Sequence, residues 1–473
     1  MTLQFYNSLT RNLEPFQSIR PGKAGLYSCG PTVYDYAHIG NFRAYVFSDL
    51  LHRTLRLFGY EVQLVMNITD VDDKTIRAAR QRQIPLGEVT RPFEAAFHED
   101  LAKLHILKAG TYPRATDHVP EMIRMIEKLR EAGHVYESEG SLYFRIESFP
   151  DYGRLINLQR EELRAGASKR VASDEYEKEQ VSDFVLWKGW VPEDGAVAWD
   201  SPFGKGRPGW HIECSAMSTK YLGDHFDLHT GGMDNKFPHH ENEIAQSECC
   251  TGKTFVNTWI HCSHLMVDGK KMSKSAGNFY TLRDLLGKGY SAEAIRHLLI
   301  STHYRNFLNF TLEGLAASGK AIAKINAFAQ ELTQAAQNGA EGPGAPLVDL
   351  AAAKEKRFRD SLADDLNASG AMGAVFEFMH EARERRDSWT KTAAKAALAF
   401  LETAQSVFAC FDLAPAATAP EAAYPEAVAA LLEARKAARA SRQFSESDRL
   451  RDALAALGWV VKDTPKGQIL ERS

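Results

Sequence analysis

Cysteine is scarce in this chain. Six occur among 473 residues, Cys29, Cys214, Cys249, Cys250, Cys262 and Cys410. Thiols so few over that length do not make a disulfide framework. No CxxC pair exists, so spacing alone demonstrates no metal site. Cys249, Cys250, Cys262 and Cys410 read as small buried hydrophobes or as thiols held reduced. A large excess of charge of one sign is missing too: the formal net charge is −4. That excludes a generally basic nucleic-acid binder, so any polyanion must be met by locally concentrated positive charge. No apolar run approaches the ~18 residues of a membrane span. The segment from Met1 to Arg11 lacks the apolar core of a signal peptide. A cytoplasmic protein is expected. No internal repeat is visible.

What remains is an ordinary globular composition, 44% hydrophobic and 25% charged, long enough to bury a sizeable core. At roughly 100–200 residues per domain the length predicts three or four domains. The apolar run Ala24 to Gly30 ends at Gly-Pro and reads as a buried strand. A loop from Pro31 to Gly40 follows. Asn41 to Phe58 then places Val46, Leu50 and Leu57 on one helical face and stops at Gly59. Glu61 to Ile68 is a second strand, which completes the βαβ unit of a parallel nucleotide-binding sheet. Pro120 to Gly133 is an amphipathic helix. Leu142 to Ala198 reads as an irregular polar insertion, after which Pro208 to Tyr221 and Phe226 to Cys250 resume the strand and helix pattern. From Leu312 the texture is helical, broken by a loop at Asn338 to Pro346 and an Ala/Pro linker at Pro415 to Pro425. Glu426 to Leu457 is expected as one more helix, followed by a small hairpin turning at Thr464 to Gly467.

Three motifs carry chemistry. In Cys29-Gly-Pro31-Thr32-Val-Tyr-Asp-Tyr-Ala-His38-Ile-Gly40-Asn41, a glycine-bearing loop leads from a strand into a helix N-terminus. That geometry presents backbone N–H groups and a positive dipole end to an anion. His38 can donate to a phosphate, and Gly40 permits close backbone approach. Many strand-to-helix loops hold His and Gly without any ligand, so this motif alone leaves both readings open. In Lys271-Met-Ser-Lys274-Ser275, two lysines on a glycine-flanked turn suit a leaving pyrophosphate, or simply make a solvated basic turn. The third group is dispersed. His239 and Glu243 are four apart on one helical face, Cys214 follows Trp210-His-Ile-Glu213, and Cys29 ends the first strand. Thiolate, imidazole and carboxylate all bind zinc, while His239 and Glu243 could equally cap a helix start.

Together these pieces resemble the cysteinyl-tRNA synthetases, a family of class I aminoacyl-tRNA synthetases. The likeness runs over nearly the whole chain. It includes CGPTVYDYAHIG, NITDVDD at Asn67 to Asp73, DFVLWK at Asp183 to Lys188, PGWHIECSAM at Pro208 to Met217, FPHHENEIAQS at Phe237 to Ser247, and KMSKS. The resemblance implies an α/β fold. A Rossmann-like parallel-sheet catalytic domain with an insertion would precede a mostly helical C-terminal region and a small α+β tail. The expected divisions are 1–125 and 201–260 for the two catalytic halves, 126–200 for the connective insertion, and 261–311 for the KMSKS-bearing stem-contact region. A helical bundle over 312–412 and an anticodon-binding tail over 413–473 would follow.

By the same resemblance Cys29, Cys214, His239 and Glu243 match zinc ligands, one ion per chain. Pro31, Thr32, His38, Gly40 and Asn41 match the HIGH region, and Gly231, Gly232 and Asp234 match the adenosine contacts. Lys274 matches the ATP-contacting lysine, so His38, Lys271 and Lys274 are the catalytic candidates. Cys29, Thr69, Trp210 and His229 are the cysteine-binding candidates. The fourth HIGH position is Asn41, not His, which puts the contact at that position in doubt while still suiting a helix start. The implied reaction consumes L-cysteine and ATP with Mg²⁺, charges tRNA(Cys), and is run by a monomer. Zinc would tell sulfur from the oxygen of serine, since it binds thiolate strongly and a neutral hydroxyl poorly. The substrate must then join four protein ligands or displace one, and Glu243 is expected to move most easily. Arg435, Lys436, Arg439, Arg442, Arg449 and Arg451, with Trp459, are the expected grip on the anticodon. A relative that passes the same adenylate to an amino sugar would lack such a tail.

Overall fold

The computed structural model of the chain describes residues 2–158, 170–171, 182–273, 277–413, 426–441, 443–464 and 467–472. Its centre is a four-stranded parallel sheet in the order Val256–Cys262, Phe226–Gly232, Lys23–Ser28, Glu61–Met66. Leu26, Tyr27, Leu64, Val65, Leu228 and Ile260 are buried. Neighbours in sequence point to opposite faces, so Leu26 with Tyr27 and Leu64 with Val65 show both faces covered. The Lys23–Ser28 strand stops before Gly30-Pro31, where proline has no N–H for a ladder. The helix Ile39–Leu57 then returns the chain to the Glu61–Met66 strand. This is the βαβ unit expected from the apolar periodicity.

The segment expected to be irregular is a sheet. Val135–Ser138, Ser141–Phe144, Asp183–Gly189 and the short pair Arg170–Val171 lie in one five-stranded sheet, with Gly206–Pro208 against Asp183–Gly189. Its polar residues hide this because they are satisfied internally. The Asp183 carboxylate accepts the Tyr136 hydroxyl at 2.9 Å and the Ile146 N–H at 3.0 Å. Lys188 Nζ lies 3.0 Å from the Asp73 carboxylate, and Arg207 pairs with Asp73 and Asp194. Phe184, Leu186 and Trp187 are thereby free to pack with Met122, Ile126 and Ile212.

Four helices, Leu312–Asn338, Ala345–Ala363, Ala368–Glu384 and Lys391–Phe408, follow in the region expected to be helical. Phe358, Phe378, Phe400 and Phe408 meet edge to face between them. They belong to the same compact unit as the sheet, residues 1–413. A buried ion pair ties the parts of that unit together. Arg296 bonds Asp49 in the middle of the Ile39–Leu57 helix and donates to the carbonyls of Leu104 at 2.9 Å and Phe408 at 2.5 Å. Burial alone would raise the Asp49 carboxyl, but Arg296, Arg53 and the Leu107 amide hold it below its ordinary value. Asp49→Asn would leave Arg296 buried without its counter-charge, at a cost of about 3–5 kcal/mol, readable as a lowered denaturation midpoint. The sign of the pH dependence follows from the depressed folded-state pKa. The Asp49 contribution is complete above the unfolded carboxyl pKa and is lost as the pH falls through the folded one. The wild type should therefore lose stability on acidification more steeply than Asp49→Asn.

Residues 414–473 form a second compact unit. The linker Pro415 to Pro425 lies outside the described residues. The single helix expected over Glu426 to Leu457 is two, Glu426–Ala440 and Phe444–Ala456. One straight helix of that length would leave its apolar stripe in water. Breaking it lets the two halves bury Val428, Ala438, Leu450 and Leu454. Arg435 is buried too, so it is not presented to a ligand as expected. Lys436, Arg449 and Arg451 are exposed and engaged locally with Glu433, Glu446 and Asp448. Arg442 lies outside the described residues. The strands Trp459–Thr464 and Gly467–Arg472 pair antiparallel as the expected hairpin. Among the described residues no helix is long and apolar enough to cross a membrane.

Candidate active site

The chemistry gathers at the C-terminal ends of the parallel strands, the usual place for a ligand in an open α/β sheet. His38 is the N-cap of the Ile39–Leu57 helix. Its Nδ1 accepts the Asn41 N–H at 3.2 Å, and the Asn41 side-chain oxygen accepts the His38 N–H at 3.1 Å. Asn41 is thus half of a reciprocal capping box. Because Nδ1 accepts, the ring proton belongs on Nε2. Gly40 makes this possible: a Cβ there would sit 3.0 Å from the His38 ring.

The Lys271 turn is fastened to the same helix start. Ile39 donates to the Tyr280 carbonyl at 3.0 Å, and His38 bridges Thr281. Asn278, which sequence reasoning passed over, closes the turn. Its side chain accepts the Ser273 N–H at 2.9 Å and donates to the Lys271 carbonyl at 3.2 Å. Lys271 is exposed. Lys274 and Ser275 lie outside the described residues.

Beneath the loop, Cys29, Cys214, His239 and Glu243 are all buried, and one ligand atom from each lies within 4.8 Å of the others. Cys29 follows the Lys23–Ser28 strand, Cys214 lies on the Trp210–Leu222 helix, His239 in the Lys236–His240 turn and Glu243 on the Glu241–Thr251 helix that the turn leads into. A second set, Cys29, His229, His240 and Glu243, satisfies the same distance limit. Burial pushes both thiols up, Cys214 well above its ordinary value. Burial opposes charge on His239, but Glu243 and Cys214 raise it to about 10. Burial likewise opposes charge on Glu243, but His229 and His239 bring it down to about 2. Glu243 Oε1 is 3.0 Å from His239 Nε2, yet no hydrogen bond of good geometry satisfies it among the described residues. Two thiols, an imidazole and a carboxylate, buried and with an orphaned oxygen, fit a soft divalent metal.

Three histidines that the sequence did not single out surround this set. His240 Nε2 is 3.3 Å from Cys29 Sγ, and its Nδ1 is 2.8 Å from His261, whose Nδ1 meets Ser8 at 2.8 Å. His211 Nδ1 is 2.8 Å from His239 Nδ1. Burial, and then neighbouring cations and histidines, holds His211, His240 and His261 well below the ordinary imidazole value. Neutral rings of this kind orient ligands. His229 holds Glu243 Oε2 at 3.0 Å, so Glu243 moves only by breaking that contact.

Trp210 stacks on the His239 ring at 4.2 Å and walls one side of the cluster. On another side runs a directional chain. Gly30 N–H donates to Asn67, the Asn67 amide donates to Thr69 Oγ1 at 3.2 Å, and the Thr69 hydroxyl donates to Glu213 at 3.0 Å. With its proton committed to Glu213, Thr69 can offer a ligand only a lone pair. Gly231 and Gly232 end the Phe226–Gly232 strand, and a Cβ on Gly231 would meet the His240 ring at 2.7 Å. Asp234 is exposed and lies 3.3 Å from His264.

Residues 15–320 match the family described as the class I (C) tRNA synthetase catalytic domain. A DALR domain matches 357–412, and a cysteinyl-tRNA ligase anticodon binding domain matches 421–469. The cysteine–tRNA ligase of Brachyspira hyodysenteriae is 51% identical over 98% of each chain. The chain belongs to the cysteine–tRNA ligase family. The cysteine–tRNA ligase of Protochlamydia amoebophila is 47% identical, over 99% of this chain and 98% of that one. In fold it resembles Mycobacterium tuberculosis methionyl-tRNA synthetase in complex with methionyl-adenylate. That match has a TM-score of 0.63 at 15% identity and covers 82% of this chain and 92% of that one. The Rossmann-like sheet with a helical C-terminal region is therefore the class I synthetase architecture, and the buried cluster lies inside the part matched as catalytic.

Proposed function

We propose that this chain joins L-cysteine to ATP as cysteinyl-adenylate, releasing pyrophosphate, and transfers the cysteinyl group to the 3′-terminal adenosine of tRNA(Cys). The observation that carries this reading is the buried four-donor cluster, whose Cys29 stands where the first strand gives way to the His38 loop. Cys29, Cys214, His239 and Glu243 would hold one zinc ion. Zinc held there supplies a soft Lewis acid that prefers the thiolate of cysteine to the hydroxyl of serine. Cys29, Thr69, Trp210 and His229 would contact the amino acid beside it.

The chain's own groups then do the rest. His38 Nε2–H is aimed by its cap to donate to the ATP phosphates. Lys271 and Lys274 neutralise charge on the departing pyrophosphate, with Mg²⁺ arriving on the nucleotide. Pro31, Thr32, Gly40 and Asn41 present the helix start. Gly231, Gly232 and Asp234 hold the adenosine. Adenylate forms when the substrate carboxylate attacks the α-phosphorus and the α–β bridging bond breaks. The terminal ribose hydroxyl later displaces AMP. Positioning and fixed dipoles account for the rate without a dedicated general base.

The test combines metal analysis of the purified chain with cysteine-dependent pyrophosphate exchange and charging of tRNA. One zinc per chain, exchange with cysteine but not serine, and charged tRNA are expected. Cysteine-specific charging by zinc-free protein would overturn the metal assignment. Exchange without charging would overturn the tRNA assignment.

A further inference from the structure

Tyr27 stands two residues before Cys29, on the Lys23–Ser28 strand. The ladder continues past the strand end, since Cys29 N–H donates to the Thr230 carbonyl at 3.3 Å. Alternation therefore places Tyr27 and Cys29 on one face of the sheet. The Tyr27 side chain is fully buried. It shares one apolar cluster with Cys214, Val65, Phe226 and Trp259. His229, its neighbour in the strand register, meets the ring edge-on at 5.0 Å.

Packing accounts for the ring but not for the hydroxyl. The Tyr27 hydroxyl is buried, and among the described residues no hydrogen bond of good geometry satisfies it. A buried hydroxyl without a partner costs stability, so phenylalanine would serve the core better. The group that bears on it is the Cys214 thiol. Burial pushes the Tyr27 phenol well above its ordinary value. Cys214, Cys29 and Glu243 push it further, Cys214 also as a hydrogen-bonding neighbour. The phenol is thus a donor set beside sulfur.

Its acceptor arises when the thiols act as metal ligands, for a ligating cysteine is a thiolate. Cys29, Cys214 and Glu243 are then three anions about one dication, which leaves negative charge in excess. A bound cysteine thiolate adds more. Buried charge of that kind is stabilised by hydrogen-bond donors. We infer that Tyr27 is a positioning residue of the metal site: its hydroxyl donates to the Cys214 thiolate, draws charge from that sulfur, and so keeps the metal electrophilic enough to take the substrate thiolate as a further ligand. This rests on the proposed function and adds a residue, outside the four donors, that sets how tightly cysteine is held.

Tyr27→Phe removes one oxygen and keeps the ring. It is expected to weaken zinc affinity by about 10–100-fold, the usual cost of losing a partner of a metal ligand, read by competition with a chelator. The KM for cysteine in pyrophosphate exchange should rise by about tenfold, while kcat moves by less than about threefold. With cobalt in place of zinc, the thiolate-to-metal charge-transfer band should shift to longer wavelength, because sulfur without its donor gives up an electron more easily. A role in packing alone makes the opposite forecast. The metal-free variant would then be as stable as the wild type or more so, having lost an unpaired hydroxyl, and zinc affinity, band and KM would all stay put. An unmoved band together with an unmoved KM would overturn the inference, whatever the denaturation midpoint. A wild type that binds no zinc, or shows no cysteine-dependent exchange, would instead overturn the proposed function.

Discussion

Cys214→Ser should empty the buried cluster of metal and abolish most of the enzyme's preference for cysteine. Cys214 is buried among Cys29, His239 and Glu243. A serine hydroxyl is a poor zinc ligand and cannot supply the negative charge of a thiolate. The loss appears first as metal content, then as a rise in the KM for cysteine of about a hundredfold or more. Selectivity is the more telling quantity. Packing alone separates substrates that differ by one small group by roughly 10–200-fold. Discrimination of ~10⁴ needs about 5.5 kcal/mol at ~1.4 kcal/mol per decade, so the greater part must come from sulfur recognition. The ratio of kcat/KM for cysteine over serine should therefore fall towards about 10². A chelator that removes the metal from the wild type should reproduce the result, and zinc should restore only the wild type. Unchanged zinc content and KM in Cys214→Ser would remove Cys214 from the ligand set.

How much of this could be read from the chain depends on where each residue's partners lie. The strand, loop and helix from Ala24 to Phe58 were legible because burial repeats along the local sequence. The Asp183–Gly189 strand was not: its charged ends are neutralised by Asp73, Tyr136 and Ile146, which are 37 or more residues away. The four-donor cluster was suggested by residue type, but nothing local marks His211, His240 or His261. Their roles arise only when strands and helices far apart in sequence converge. Asn41 is the reverse case. In the sequence it is a departure from the HIGH pattern, whereas in the fold its side chain completes the cap that orients His38. Arg435 shows the limit of counting charges on a helix. Positive residues there were legible, but which of them the packing of two half-helices would bury was not.

His38→Ala should lower the kcat of cysteine-dependent pyrophosphate exchange by about 10²–10³, the usual cost of removing one aimed donor from developing charge. The KM for cysteine should move by less than about threefold, since the metal cluster is untouched. A purely structural role makes a different forecast. Losing an N-cap costs ~0.5–2 kcal/mol of stability, which lowers the denaturation midpoint and leaves the folded enzyme's kcat alone. Asn41→Ala separates the two further. It removes the acceptor of the His38 N–H but keeps the backbone N–H that His38 Nδ1 accepts, so the ring retains its Nε2 proton and loses part of its orientation. Exchange should then fall by about tenfold, between wild type and His38→Ala, with a similar loss of stability in both variants. Equal stability losses with unequal rates would identify His38 Nε2–H as the donor to phosphate. Rates that simply track stability would leave His38 as a helix cap and no more.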